Sequence, residues 1–227
     1  MCGIAGIISL NNNQINTKLF EAIKKTKNLQ NHRGPDNFDY FQNDNVALFS
    51  NRLNIIDLSS NANMPMVDKN TGCVIVFNGE VYNFKELYSD LKDFNFESRS
   101  DTEVVLKSYI KWGVNCLKKF NGMFAFAIWD PRKNKLFCAR DRMGIKPFFY
   151  RKINNTFVFA SEIKPLLLNN SNNSNDKIIY NYLMNGVYDH SKETFFKDIY
   201  QLTQGCYLDV SKSKIQIKTY WRLQSFF

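Results

Sequence analysis

The chain has 227 residues, of which 44% are hydrophobic and 22% are charged, and its formal net charge is +9. This composition indicates a globular protein with a buried core. No stretch reaches the roughly 18 to 20 consecutive apolar residues that span a bilayer, so we expect no membrane contact. Because the lysines alternate with asparagines throughout, we interpret the positive charge as solvated surface and expect no nucleic-acid partner.

Five cysteines and two histidines argue against a metal cluster. The cysteines are widely spaced and include no C-x-x-C pair, a pattern typical of a reduced intracellular protein whose internal cysteines are small core residues. The opening apolar run has no basic residues before it, so a secretory signal is not expected. We therefore expect a cytoplasmic location and no bound metal.

The first third of the chain alternates between strand-like and helix-like patterns. Apolar residues 4–9 predict a buried strand, and residues 17–30 carry apolar side chains at helical spacing. Gly34 followed by Pro35 ends this predicted helix. Two further strands are predicted where β-branched and aromatic side chains cluster, at residues 46–50 and 73–77.

Two further helices have marked starting points. Asn83 is followed three residues later by Glu86, and Ser100 is followed at the same distance by Glu103. Both pairs predict a capping box, in which side chains satisfy free backbone N–H groups of the first turn. Gly113 predicts the end of the second of these helices.

The second half of the chain predicts short strands joined by tight turns, at residues 123–129, 136–140, 148–150, 156–160, 205–210 and 214–220. Residues 161–168 predict a short helix, and the polar run 169–175 predicts a surface loop. Strands joined by tight turns form antiparallel sheets, so the expected fold class is α+β with helices packed outside the sheets.

Cys2 raises a functional question because of its position. If Met1 is removed, Cys2 carries a nucleophilic thiol and a free α-amine whose reference pKa of about 7.7 to 8.0 allows it to act as a base near neutral pH. The same residue would equally suit a small apolar position in a first strand. Position alone leaves these two alternatives open.

Eight short segments in order decide between the two alternatives: MCGI at 1–4, RGPD at 33–36, RLNIID at 52–57, NGEVYN at 78–83, SDTE at 100–103, GMFAFA at 122–127, RDRMGIKP at 140–147 and FASE at 159–162. Together they resemble the glutaminase domain of asparagine synthetase, a class II (N-terminal nucleophile) glutamine amidotransferase. The resemblance implies one such domain over residues 1–223, with 224–227 starting a linker. It also implies a four-layer αββα sandwich of largely antiparallel sheets.

The resemblance implies that Cys2 attacks the side-chain amide of L-glutamine, which releases ammonia and leaves a glutamyl thioester that water hydrolyses. Asn78 and Gly79 would supply the oxyanion donors through a side-chain amide and a backbone N–H. Taken alone, Asn78-Gly79 would indicate a hairpin turn.

The resemblance also implies a pocket for free glutamine. Arg52 would bind the substrate carboxylate and Asp101 its ammonium group, while backbone around Ile55, Ile56 and Glu80 would complete the pocket. Residues 33–36 either shape the loop near the nucleophile or simply end a helix.

The chain departs from the usual family wording at Asn54, in place of serine, and at Asn63-Met64, in place of histidine and glutamine. It departs again at Thr203-Gln204, in place of two prolines. We expect these departures to touch no residue that has an assigned chemical role.

The expected partners are L-glutamine and a synthetase domain, in cis or in trans, with a homodimer as a further expectation. We expect no cofactor in this domain; ATP and Mg²⁺ would act only on the synthetase domain that uses the ammonia to make asparagine from aspartate. The alternative is a non-catalytic or regulatory module that docks a separate synthetase. The joint presence of Cys2, Arg52, Asn78, Gly79 and Asp101 favours the enzyme.

Overall fold

Two six-stranded antiparallel sheets lie face to face in the computed structural model, which describes residues 1–11, 13–167, 173–188, 190–212 and 214–223. The strands are β1 Gly3–Ser9, β2 Asn37–Gln42, β3 Val46–Arg52, β4 Met66–Val67, β5 Val74–Val81, β6 Gly122–Asp130, β7 Lys135–Arg140, β8 Phe149–Ile153, β9 Thr156–Ala160, β10 Tyr200–Gln201, β11 Cys206–Ser211 and β12 Lys214–Thr219. The first sheet has the order β10-β8-β9-β1-β3-β2 and the second has the order β12-β11-β7-β6-β5-β4.

Helices cover the outer faces of both sheets. They are α1 Thr17–Lys24, α2 Thr26–Leu29, α3 Phe84–Asp90, α4 Asp101–Trp112, α5 Cys116–Lys119 and α6 Asp176–Asn185. Helix α1 packs on the first sheet, and α3, α4 and α5 pack on the second. Across the described ranges, no helix combines the length and apolar character needed to cross a membrane.

Strand β1 shows how the alternation of side chains builds the layers. Its seven residues are all buried, because successive side chains point to opposite faces and both faces are covered. Ile4 and Ile8 enter the core between the sheets, whereas Ala5 and Ile7 join the core beneath α1. With a third core between the second sheet and its helices, the result is a four-layer α+β sandwich, which confirms the predicted fold.

Gly6 marks a place where neighbouring side chains pack too closely for a larger residue in β1. A Cβ atom at Gly6 would lie 2.4 Å from Cε1 of Phe159 and 2.9 Å from Cδ2 of Leu48. Only glycine therefore allows these two side chains to fill the space over the middle of β1.

Several predicted elements have the expected type with different limits. The helix predicted at 17–30 is two helices that divide at Lys25. The strand predicted at 73–77 continues to Val81, so Asn78-Gly79 is strand rather than turn. The predicted helix at 161–168 is a 3₁₀ turn, Lys164–Leu166, and Leu168 lies outside the described residues, as do residues 169–172 of the predicted loop.

The two predicted capping boxes have different outcomes. Ser100 accepts a hydrogen bond from the Glu103 N–H at 3.3 Å and caps α4, which ends at Gly113 as expected. The reciprocal bond of the box is not formed, because the Glu103 carboxylate accepts from the Glu97 and Ser98 N–H groups. Asn83 does not cap α3, because its side chain contacts Asn121 and Lys119 instead. Strands β2, β4 and β10 and helices α5 and α6 are additional to the prediction.

A buried ion pair joins α4 to the turn between β4 and β5. The ammonium of Lys107 lies 2.5 Å from Oδ2 of Asp68, and both side chains are almost fully buried. Burial alone would raise the pKa of Asp68, but hydrogen bonds from Lys107 and Thr71 outweigh it and hold the pKa below its usual value.

We predict that Lys107→Met lowers the free energy of unfolding by about 3 kcal/mol, because Asp68 would remain buried without its cation. Urea denaturation would measure the change. The matched control is Lys69→Met, since Lys69 pairs with Glu97 at 2.6 Å on an exposed surface, where loss of an ion pair costs about 1 kcal/mol or less. Equal effects of the two variants would contradict the prediction.

Candidate active site

The candidate active site is a cavity of about 150 Å³ at one end of the sandwich. Cys2 lies just before β1, Arg52 ends the paired strand β3, and Asp101 begins α4. All eight residues predicted from the sequence line this cavity: Cys2, Arg52, Ile55, Ile56, Asn78, Gly79, Glu80 and Asp101.

Cys2 is held by two hydrogen bonds, one to its sulfur and one to its carbonyl. Its Sγ accepts a hydrogen bond from the Leu53 N–H at 3.4 Å, and its carbonyl accepts one from Nε of Arg33 at 3.1 Å. Burial raises the pKa of the thiol, whereas the Leu53 hydrogen bond and the positive charges of the chain terminus and Arg52 act in the opposite direction. The sulfur is therefore fixed in place and faces the cavity.

Asn78 carries an amide without a partner in the described structure. The side chain is fully buried, and neither its Nδ2 nor its Oδ1 forms a hydrogen bond with the described residues. Leaving a buried polar group unpaired is unfavourable, typically by about 1 to 3 kcal/mol. An unpartnered amide at the wall of a cavity is thus available to a bound molecule.

Gly79 is required by the close approach of β6. A Cβ atom at this position would lie 2.3 Å from the carbonyl oxygen of Met123 and 2.7 Å from Cα of Phe124. Any side chain here would push the two strands apart and displace the neighbouring Asn78.

Arg52 is buried, and part of its guanidinium holds the segment that follows it. Nη1 donates to the Ser59 carbonyl at 3.0 Å and to Oδ1 of Asn63 at 2.7 Å, and Nη2 donates to the Asp57 carbonyl. A guanidinium has five N–H donors, so three bind described residues and two have no acceptor among them. Two donors are sufficient for a bidentate carboxylate.

The contact with Asn63 corrects one expectation. This position departs from the usual family wording, and we expected it to leave the residues with assigned roles untouched. That expectation was wrong, because the Asn63 amide oxygen accepts a hydrogen bond from Arg52.

Asp101 occupies the first position of α4, where Ser100 is the N-cap. Its Oδ2 accepts a hydrogen bond from the Val81 N–H at 2.9 Å. Burial raises the pKa of Asp101 to about 6; the charge of Glu80 acts in the same direction, and the Val81 hydrogen bond opposes it. Asp101 is therefore mainly ionised at neutral pH and can pair with a cation.

Ile55 and Ile56 lie at the mouth of the cavity, where their side chains are more exposed than those of the other predicted site residues. The segment that contains them is fixed at Asn54, whose N–H donates to Oδ2 of Asp36 at 2.8 Å. Glu80 is partly buried and follows Gly79 in β5.

The segment 33–36 does more than end a helix. Arg33 contacts Glu162 at 3.3 Å as well as the Cys2 carbonyl, and His32 lies 2.7 Å from the same carboxylate. The structure thus places this segment against the nucleophile, which supports the first of the two alternatives left open by the sequence.

Lys146 also lines the cavity, and the sequence signal for it is only its place in the motif at 140–147. Among the described residues, including those of the cavity, no group of three or more His, Cys, Asp or Glu side chains is arranged to hold a metal ion.

Comparisons with known proteins agree with this arrangement. A family model described as a glutamine amidotransferase domain matches residues 1–221. Glutamine-hydrolyzing asparagine synthetase 2 of Bacillus subtilis is 37% identical over 99% of this chain and 31% of its own length. The corresponding values for asparagine synthetase 3 of the same organism are 34%, 99% and 37%.

A solved structure gives the same fold at low sequence identity. The glutamine phosphoribosylpyrophosphate amidotransferase of B. subtilis, in complex with ADP and GMP, matches with a TM-score of 0.56 and 15% identity. The match covers 96% of this chain and 43% of that chain. The chain likewise spans less than half of the length of the curated relatives it matches first, between 31% and 47%.

We predict that the folded protein presents one reactive thiol, because Cys2 faces the cavity and the other four cysteines are buried. A disulfide-exchange reagent should label one thiol per native chain and five in urea. Cys2→Ala should abolish the native signal, whereas Cys206→Ala should preserve it. Native labelling of Cys2→Ala at the original rate would contradict the prediction.

Proposed function

This chain belongs to the glutamine amidotransferase domain family, and on that basis we propose that it hydrolyses L-glutamine to glutamate and ammonia at Cys2. The observation that carries the proposal is the arrangement of Cys2 and the unpartnered Asn78 amide around one cavity. A nucleophile and an unused hydrogen-bond donor are the two parts that acyl transfer from an amide requires.

In the proposed reaction, the Cys2 sulfur attacks the side-chain carbonyl carbon of glutamine while the Cys2 α-amine accepts the thiol proton. The carbonyl oxygen becomes an oxyanion, to which Nδ2 of Asn78 and the Gly79 N–H donate. The α-amine then passes the proton to the departing nitrogen, and ammonia leaves. Water attacks the resulting thioester with the same amine as base, which releases glutamate and restores the thiol.

Arg52 and Asp101 would select the free amino acid. The two remaining donors of Arg52 suit the α-carboxylate, and the Asp101 carboxylate suits the α-ammonium. The backbone at Ile55, Ile56 and Glu80 would enclose the substrate. Removal of Met1 is part of the proposal, because a retained methionine would convert the α-amine of Cys2 into an amide without basicity.

The destination of the ammonia is also a proposal. The relatives named above are glutamine-hydrolyzing asparagine synthetases that are longer than the matched region. We infer that the ammonia serves ATP-dependent, Mg²⁺-dependent synthesis of asparagine from aspartate on a synthetase domain, in cis or in trans, in the cytoplasm. A non-catalytic module is not favoured, because such a module has no need for an unpartnered amide beside a thiol.

We predict that Cys2→Ala abolishes glutamate and ammonia formation from glutamine, because Cys2 carries the nucleophilic thiol and none of the other described cysteines lines the cavity. Asn78→Ala should lower kcat by about 100- to 1000-fold through loss of one oxyanion donor. Glutamate and ammonia would be quantified separately, on protein whose intact mass shows that Met1 is absent.

Cys206→Ala is the matched control, since Cys206 is buried in β11 and does not line the cavity. This variant should retain the wild-type rate. Glutamine hydrolysis by Cys2→Ala at the rate of the control would refute the proposed function.

We further predict that Asn63→Ala raises KM for glutamine about tenfold with little change in kcat, because a charge-assisted hydrogen bond that orients Arg52 is lost. The effect should disappear for 4-aminobutanamide, which has no α-carboxylate. Asn61→Ala, in the same turn but exposed, is the control. An equal loss with both substrates would show that Asn63 does not act through carboxylate binding.

A further inference from the structure

Lys146 has an unusual position for a lysine. Its side chain is 4% exposed and lines the same cavity as Cys2. Its ammonium forms no hydrogen bond or ion pair with the residues that the structure describes. A largely buried ammonium is disfavoured unless an anion or water compensates it, and the cavity is the space from which either can reach Lys146.

The backbone around Lys146 is held rigidly. The buried carboxylate of Asp141 accepts hydrogen bonds from the N–H groups of Ile145 at 3.0 Å and Lys146 at 2.9 Å. Arg140 donates to the Lys146 carbonyl at 2.8 Å and to the Gly144 carbonyl at 2.7 Å. These hydrogen bonds fix the backbone of the turn, and the fold therefore determines where the Lys146 side chain begins.

Negative charges around the cavity disfavour ionisation of the Cys2 thiol, and a nearby cation would offset them. Two carboxylates, Glu80 and Asp101, line the cavity, and the charge of Asp101 raises the pKa of the Cys2 thiol. A third, Asp57, is already engaged by the Arg99 and Ser59 N–H groups.

The positive groups that face Cys2 are its neighbouring chain terminus, Arg52, Arg33 and Lys146. Arg52 donates hydrogen bonds to the segment that follows it, at Ser59 and Asn63. Arg33 forms an ion pair with Glu162. Of the three side-chain cations in this set, Lys146 is the one with no acceptor among the described residues. Burial lowers the pKa of Lys146; Glu80 raises it, Arg33 lowers it, and Asp141 and then the Cys2 sulfur raise it.

We propose that the Lys146 ammonium is the counter-ion of the Cys2 thiolate. The thiol proton passes to the α-amine of Cys2, and the sulfur anion remains in the cavity opposite the lysine. The inference rests on the proposed function in taking Cys2 as the nucleophile. Lys146 acts through Cys2 and is therefore a positioning residue.

The test is the pH dependence of Cys2 alkylation by iodoacetamide, followed by peptide mass in the absence of glutamine. Lys146→Met should raise the thiol pKa and slow alkylation at neutral pH by several-fold to about tenfold, since only the thiolate reacts. At a pH above the thiol pKa the rates should converge. Lys146→Arg should remain within about twofold of the wild type.

Lys152→Met is the matched control, because Lys152 is exposed on β8 and does not line the cavity; its profile should not change. Lys146→Gln provides a second neutral variant if the methionine variant is unfolded by circular dichroism. An unchanged profile in the neutral variants, or a rate lowered by the same factor at every pH, would overturn the proposal. Because alkylation needs no turnover, this failure is distinct from retained glutaminase activity in Cys2→Ala, which would refute the proposed function.

Discussion

The hydrogen bonding of β1 on both sides is the constraint on which the rest of the structure depends. β1 pairs with β3 along one edge and with β9 along the other, beginning at Gly3 and Ala5 respectively. Chain ends usually fray, but this one enters the middle of a sheet whose two faces are both buried. Cys2, the residue just before the strand, is therefore anchored to the paired sheet through Gly3.

The site combines hydrogen-bonding groups that have partners with others that have none among the described residues. Arg52 uses three donors to hold residues 57–63 and keeps two, whereas the Asn78 amide has no partner in the described structure. The first arrangement shapes the pocket before any substrate arrives, and the second leaves hydrogen-bonding capacity where charge would develop in the reaction. Such a division is what preorganisation requires: donors whose positions are fixed by the fold and whose acceptor is the reacting molecule.

Much of this architecture could be predicted from the sequence because it depends on local patterns. The apolar content of residues 4–9 is enough to predict a buried strand, and Ser100 with Glu103 predicts the start of α4.

The incorrect predictions depend on contacts between distant residues. Asn83 has the spacing of a helix N-cap, but its side chain contacts Asn121. No local sequence pattern reveals that contact. Strand β2 lies at a sheet edge and is only partly buried, so it lacks the apolar run that marks a strand. Asn63 and Lys146 gain their roles by proximity to Arg52 and Cys2, and that proximity exists only in the folded chain.

The tight contact between Gly79 and β6 limits how this scaffold can change over evolution. A Cβ atom at Gly79 would lie only 2.3 Å from the Met123 carbonyl oxygen. Gly79 therefore cannot be replaced by a residue with a side chain unless β5 and β6 separate. The segment 53–63 carries no such restriction at Ile55 or Ile56, whose side chains are exposed and line the cavity. Descendants with different amide preferences should therefore diverge at the rim of the cavity while keeping its base.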